Sequence, residues 1–121
     1  WMDPCADAEQ VNAAAEEADP DSVLHFYRAL IRARKGRPSV LWGRTEFWAM
    51  DDPDLFLYTR TAEEEALFSA NNFSGKERSF PLPEGFAGAE VLLSNCGAPQ
   101  LDGDGVLTLR PWEGLTLLAK K

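Results

Sequence analysis

The spacing of hydrophobic residues divides the chain into three parts. Residues 1–18 have no sustained apolar periodicity and are rich in alanine and acidic residues, which predicts an irregular arm with a weakly helical end. Residues 19–36 have a helical period, with Asp19 as the predicted N-cap, Pro20 at the first helical position and Gly36 as the stop. From about residue 40 onward, hydrophobic and polar residues alternate, as they do in half-buried strands.

The predicted helix has a wide apolar face. At about 100° per residue, its large apolar side chains fall within an arc of roughly 160°. Burial of one such side chain contributes about 1.5–3 kcal/mol, so leaving the whole face in water would be costly. We therefore expect the helix to pack against neighbours on two sides. The residues of this face are Val23, Leu24, Phe26, Tyr27, Leu30 and Ile31.

Short segments of alternating character predict strands, and turn-forming residues separate them. The connections are too short to hold helices, so the strands must pair in the antiparallel direction. The pattern predicts the all-β fold class: a small antiparallel β-sandwich of about seven to eight strands, preceded by one α-helix and an irregular N-terminal arm. The predicted strands are residues 44–50, 54–60, 65–71, 77–82, 89–95, 105–110 and 113–119.

Composition and charge exclude several classes of partner. Twenty acidic residues against twelve basic ones give a formal charge of −8, which repels nucleic acid and anionic membrane surfaces. No apolar run is long enough to span a bilayer. The only cysteines, Cys5 and Cys96, are far apart; a disulfide between them stays open, and we favour free thiols in a reducing cytoplasm.

Clusters of acidic residues are the first candidates for catalysis, because general acid–base chemistry and glycoside hydrolysis use paired carboxylates. Asp51–Asp54 surrounds a proline between two predicted strands, and Glu63–Glu65 occupies the next connection. Both clusters are typical of exposed turns. Asp102–Gly105 lacks the remaining ligands of an EF-hand loop and predicts a glycine turn. His25 lies on the polar face of the helix. We expect no catalytic, cofactor-binding or metal-binding residue in this chain.

The aromatic residues leave two interpretations open. In the first, exposed rings form a platform on which sugars stack, as in a carbohydrate-binding module. In the second, which we favour, Trp48 and Trp112 fill the core or plug an interdomain contact. The aromatic set comprises Trp1, Trp42, Trp48, Trp112, Phe47, Phe56 and Tyr58.

Several segments together resemble one family. Residues 19–28 (DPDSVLHFYR), continued to Lys35, resemble the last barrel helix of α-glucosidases of the α-amylase superfamily, in particular the oligo-1,6-glucosidases. Residues 38–43 (PSVLWG) fill the link that follows this helix in the family. Residues 71–74 (NNFS) and 109–113 (LRPWE) are similar to segments of its C-terminal β-sandwich, as is the Ser94-Asn95 pair.

The resemblance implies a parent enzyme that hydrolyses α-glucosidic bonds of short oligosaccharides with retention. The family's nucleophile and acid–base glutamate lie on upstream barrel strands, and their motifs do not occur here, so the chain alone is expected to be catalytically inert. The chain begins with Trp1 ahead of Met2 and is expected to be a piece of a longer protein. Residues 1–38 would be the arm and final helix of an absent (β/α)8 barrel, and residues 39–121 its C-terminal β-sandwich.

The upstream barrel is therefore the expected partner, and the sandwich is expected to stabilise it. Without a barrel, the apolar helix face is expected to fold against the chain's own sheets or to pair with a second copy. A free-standing carbohydrate-binding module is the alternative function. The expected interdomain residues are the helix face Val23, Leu24, Phe26, Tyr27, Leu30 and Ile31, together with Val40, Leu41, Trp42 and Trp112.

Overall fold

A computed structural model describes residues 3–121, which divide into two compact units. The first unit ends at Ala33 and the second spans Arg34–Lys121. Three helices precede the strands in the described part of the chain: α1 (Ala13–Ala18), α2 (Val23–Arg34) and α3 (Pro38–Trp42). The strands are β1 (Arg44–Trp48), β2 (Leu55–Thr61), β3 (Glu65–Asn72), β4 (Arg78–Pro81), β5 (Glu90–Ser94), β6 (Gln100–Leu101), β7 (Val106–Leu109) and β8 (Gly114–Lys120).

The strands form two antiparallel sheets. One sheet has five strands in the order β1-β2-β3-β8-β5, and the other has three in the order β4-β7-β6. This arrangement confirms the predicted all-β sandwich. The alternating pattern had not indicated β6, because a strand of two residues, Gln100–Leu101, has no period to detect.

The hydrophobic core draws side chains from both sheets. Phe68 of β3 is fully buried, and its ring centroid lies 5.6 Å from that of Phe86 and 6.2 Å from that of Phe80. We call the side of the five-stranded sheet that carries Phe68 the inner face, and the opposite side the outer face. The core cluster contains Leu57, Ala66, Phe68, Ala70, Phe86, Leu107, Leu109, Leu115 and Leu117.

The helical region differs from the prediction at its start. Asp19 does not cap α2: its carboxylate accepts the N–H of Asp21 at 2.9 Å and so closes a turn ahead of the helix. The helix begins at Val23, and the hydroxyl of Ser22 accepts the N–H of His25 at 3.3 Å. The alanine-rich end of the arm is helical as expected, since the side chain of Asn12 caps α1.

Helix α3 was not predicted. Residues 38–43 had been interpreted as a link, and Pro38 instead lies in the first turn of a new helix. Proline is favoured there because its missing N–H has no intrahelical acceptor at that position. In the described part of the chain, none of the helices has the length and apolar character needed to cross a bilayer.

Candidate interdomain surface

Helix α3 is fixed to the outer face of the five-stranded sheet by a group of side chains that we call the Glu65 clamp: Arg37, Ser39, Arg60 and Glu65. One carboxylate oxygen of Glu65 accepts the N–H of Ser39 at 3.0 Å and its hydroxyl at 2.6 Å. Arg37 donates to the other oxygen at 3.3 Å. Arg60 donates to the carbonyls of Ser39 at 2.8 Å and Val40 at 3.0 Å. Charged side chains of the sheet thus pair with polar backbone groups of a five-residue helix.

The prediction that Glu63–Glu65 is an exposed charge run is wrong for Glu65, because this residue is buried at the start of β3 and belongs to the clamp. Burial by itself raises the pKa of Glu65, but the hydrogen bonds from Ser39 and the positive charge of Arg37 outweigh it and lower the pKa below its ordinary value. The carboxylate is therefore ionised at neutral pH. Both of its oxygens accept hydrogen bonds within the fold, so the role of Glu65 is structural.

The residues that α3 presents at its end are solvent-exposed. Trp42 is 82% exposed, and Leu41 is also exposed, whereas Val40 is partly buried. Two large apolar side chains therefore stand on a helix whose backbone is held by ionic hydrogen bonds. A fixed backbone with exposed apolar side chains is suited to contact another protein surface, because little further ordering is needed on binding.

The apolar face of α2 is exposed at four of its six predicted positions. Val23, Tyr27, Leu30 and Ile31 are exposed, whereas Leu24 and Phe26 are partly buried. Outside this face, Arg28 forms an ion pair with Glu17 at 2.7 Å, and the hydrogen bond between them lowers the pKa of Glu17 and raises that of Arg28.

Trp112 is held outward on a rigid turn between β7 and β8. Its φ angle is +60°, a strained value for a residue with a side chain, and it is 63% exposed. Asn95 bridges the turn by donating to the Trp112 carbonyl at 2.9 Å and accepting the Gly114 N–H at 2.8 Å. The carboxylate of Glu113, fully buried, accepts the backbone N–H of Arg110 at 2.7 Å. Several hydrogen bonds thus offset the strain of presenting one indole to solvent.

Of the two roles expected for Trp48 and Trp112, filling the core is wrong, and plugging an interdomain contact stays a prediction. Both are exposed, and the ring nitrogen of Trp48 donates to the Thr59 hydroxyl at 3.4 Å. Leucines and two phenylalanines fill the core instead, and Phe68 and Phe86 carry no polar atom that needs a partner there. Trp1 lies outside the described residues.

A cluster of three rings occupies the outer face at β1 and β2; we call Phe47, Phe56 and Tyr58 the outer aromatic patch. The ring centroids are 5.4 to 6.2 Å apart, and the ring planes are inclined by 43° to 57°. Phe47 is 52% exposed and Phe56 47% exposed. The sequence had placed these rings in the aromatic set, for which a platform of exposed rings was one of the two interpretations.

The acidic clusters are engaged in turns. Asp52 and Asp54 both pair with Arg78, the second at 2.9 Å, which ties the β1–β2 turn to β4. Asp102 accepts backbone N–H groups across the predicted glycine turn, in which Gly105 has a φ of +79°. Over residues 3–121, no three histidine, cysteine or carboxylate side chains are grouped to hold a metal ion.

Comparison with known proteins identifies the class of protein. The chain matches only the C-terminal fifth of much longer α-glucosidase-type proteins, so it is a C-terminal β-sandwich domain of the glycoside hydrolase type. Residues 55–115 match the family described as "Alpha-amylase SusG C-terminal domain", and the chain belongs to this family. The resemblance found in the sequence is thereby confirmed.

Two individual relatives match the chain over nearly its whole length. The chain is 35% identical over 123 residues to "Probable oligo-1,6-glucosidase 2" of Bacillus subtilis (strain 168), covering 100% of this chain and 22% of the relative. It is 39% identical over 119 residues to "Trehalose-6-phosphate hydrolase" of the same organism, covering 95% and 21%. The chain thus spans about a fifth of the length of the curated relatives that it matches.

Two solved structures also match the whole chain with about a fifth of their own length. The trehalose-6-phosphate hydrolase of Bacillus licheniformis matches with a TM-score of 0.86 and 30% identity, over 100% of this chain and 22% of the hydrolase. The trehalulose synthase MutB of Pseudomonas mesoacidophila MX-45 matches with a TM-score of 0.82 and 32% identity, again over 100% and 22%.

Proposed function

We propose that the chain is the non-catalytic C-terminal domain of an α-glucosidase of the oligo-1,6-glucosidase type, and that it stabilises the catalytic barrel of its parent protein. The observation that supports this proposal is the alignment of 93% to 100% of the chain with about one fifth of the length of relatives named as oligo-1,6-glucosidases. The parent would hydrolyse α-glucosidic bonds of short oligosaccharides with carboxylates from its upstream part. The 121-residue chain by itself would be inert.

The proposed division of labour assigns residues 1–38 to the end of the barrel and residues 39–121 to the sandwich. The separation of the described chain at Ala33 and Arg34 supports a boundary in this region. The exposed apolar residues of α2, with Leu41, Trp42 and Trp112, are then the contacts with the barrel. Each contributes about 1.5–3 kcal/mol if fully buried, so several together are significant beside a typical domain stability of about 5–15 kcal/mol.

The first test is the size of the native polypeptide, measured by immunoblotting source-cell lysate with an antibody against this chain. Because the chain covers about a fifth of the length of its relatives, we expect a single band at about five times the mass of the chain. The second test compares that polypeptide with a version truncated after its barrel. We expect the truncated version to lose thermal stability, while the 121-residue chain alone releases no nitrophenol from 4-nitrophenyl α-glucoside. A native band at the size of the chain would contradict the proposal.

Isolated from a barrel, the chain would cover its apolar helix face by pairing with a second copy. The exposed Val23, Tyr27 and Ile31 support this expectation. Light scattering at several concentrations tests it, with Ile31→Lys as the disrupting variant and Arg32→Lys as the control. A monomer at every concentration would contradict homodimer formation and leave the proposed domain function intact. The exposed free thiols of Cys5 and Cys96 support a cytoplasmic location for the parent.

Carbohydrate binding is the second candidate function, and the observation that favours it is the exposed Trp112, whose turn is bridged by hydrogen bonds to Asn95. Indole faces stack on sugar rings in many binding modules. Calorimetric titration of the chain with maltose, isomaltose and longer glucans tests this function. A millimolar or tighter affinity that Trp112→Ala abolishes and Trp48→Ala leaves unchanged would establish it.

A further inference from the structure

The outer aromatic patch is not part of the sandwich's own core. Phe47 pairs with Tyr58 across β1 and β2, and Phe56 lies two residues from Tyr58 on the same strand face. The core lies on the inner face, around Phe68. The two half-exposed phenylalanines leave about 100 Å² of ring surface each in contact with water. This contiguous aromatic surface is available for contact with another protein surface.

The patch is continuous with the place where the chain enters the sandwich. Arg60 follows Tyr58 by two residues on β2, so both lie on the outer face. Arg60 donates to the Ser39 and Val40 carbonyls and therefore holds α3 on that face. Helix α3, the first element of the second unit, thus lies on the side of the sheet that carries the exposed rings, and about four fifths of the length of each relative lies outside the matched region.

The geometry of the rings favours a protein partner over a sugar. A stacking platform presents ring faces side by side to the flat face of a sugar. Here each pair of rings is inclined by 43° to 57°, so the rings pack partly against one another and present a mixture of edges and faces. Uneven aromatic surfaces of this kind fit between side chains of another protein surface.

We propose that the outer aromatic patch is the surface that the upstream catalytic barrel of the same polypeptide covers, with the Glu65 clamp setting the direction from which the barrel approaches. This inference rests on the proposed function and extends it to a named sheet face. It assigns an interdomain role to Phe47, Phe56 and Tyr58. The sequence analysis had not included these residues among the interdomain contacts, and the role is separate from that of the apolar face of α2.

Hydroxyl-radical footprinting with mass spectrometry tests the proposal on the full-length parent and on the 121-residue chain side by side. We expect Phe47 and Phe56 to be labelled several-fold less in the parent than in the chain. Leu101 on β6 is the matched control, because it is 44% exposed and belongs to the other sheet, and its labelling should not change. Phe68 should stay unlabelled in both proteins, which verifies that each is folded.

Equal labelling of Phe47 and Phe56 in the two proteins would overturn the proposal. Protection of these rings in the isolated chain by maltooligosaccharides would also overturn it, by assigning the patch to sugar binding. A variant pair gives an independent measurement: Phe47→Ser with Phe56→Ser should lower the Tm of the parent by several degrees more than it lowers the Tm of the chain. Leu101→Ser should lower both equally.

The experiments distinguish a failure of the proposed domain function from a failure of the interdomain role of the outer aromatic patch. If no longer polypeptide exists, the proposed function fails at the immunoblot, before footprinting begins. If the parent exists and loses stability on truncation, but the aromatic rings stay as reactive as in the isolated chain, the domain function stands and only the assignment of the outer face is wrong.

Discussion

Replacing Glu65 by glutamine removes one negative charge from the Glu65 clamp with almost no change in volume. The glutamine oxygen can still accept from Ser39, but its bonds are neutral. A hydrogen bond to a charged group contributes about 1.5–3 kcal/mol, and a neutral one about 0.5–1.5 kcal/mol. In the variant, each of the two hydrogen bonds from Ser39 is weakened by this difference, and the ion pair with Arg37 is lost as well. We expect Glu65→Gln to lower the free energy of unfolding by about 2–3 kcal/mol, or Tm by roughly 8–12 °C.

The dependence of this effect on pH identifies its cause. The folded-state pKa of Glu65 is lowered from an ordinary value of 4.5, so its stabilisation is fully present above that value and is lost as the pH falls through the folded pKa. The two proteins share every other carboxylate, so Glu65 is the group that distinguishes them. Urea unfolding of the chain, followed by tryptophan fluorescence, should therefore show a constant difference between wild type and Glu65→Gln from neutral pH down to about pH 5. The difference should shrink at lower pH.

Glu64→Gln is the matched control, because Glu64 is the adjacent residue and is exposed. It should change the free energy of unfolding by less than about 0.5 kcal/mol. A Glu65→Gln variant as stable as this control at neutral pH would refute the assignment of the clamp. A difference that stays the same from pH 7 to pH 3.5 would show that packing, not charge, carries the effect.

Three further changes test the turns around the sheets. Asn72→Ala should cost about 3 kcal/mol in chemical unfolding, because this buried amide makes four hydrogen bonds, and a loss below about 1 kcal/mol would contradict that account. Trp112→Gly should be about 1 kcal/mol more stable than Trp112→Ala, since glycine adopts the positive φ without strain; equal stabilities would mean that the turn relaxes. Arg78→Gln should lower stability by about 1 kcal/mol through its lost pairs with Asp52 and Asp54. Thermal melts in dilute buffer and in 1 M NaCl should show the Arg78 effect diminishing in salt, and an effect independent of salt would exclude its electrostatic origin.

Local periodicity was sufficient to predict most of the elements. The predicted strand of residues 54–60 corresponds to Leu55–Thr61, and that of residues 65–71 to Glu65–Asn72. Alternation is detectable in Leu55–Thr61, where Leu57 and Thr59 are buried on the inner face and their neighbours are less buried, whereas Glu65–Asn72 is buried on both faces. The start of α2 was misplaced because Asp19 and Pro20 satisfy the rules for a helix start equally well in the turn that precedes the helix.

The candidate site was harder to predict, because its residues are joined by contacts distant in sequence. Glu65 stands in a run of three glutamates, and its contacts with Ser39 and Arg37, 26 and 28 residues away, make it different from its neighbours. No local signal could have found this pair. Trp112 was identified as an interdomain residue from its place in a family-like segment, and that role stays a prediction; its exposure is decided by the hydrogen bonds of Asn95 and Glu113.

The order of hydrophobic and polar residues alone predicts a helix followed by antiparallel strands, and the resemblance of several short segments indicates a glucosidase C-terminal domain. These features depend on periodicity and short motifs, which are properties of neighbouring residues. Tertiary structure decides which apolar residues remain outside the core. Phe68 and Phe56 are alike as side chains, but strand register places one against the second sheet and the other on the outer face. Whether a ring is buried depends on what lies opposite it, and that partner is set by pairing across the sheet.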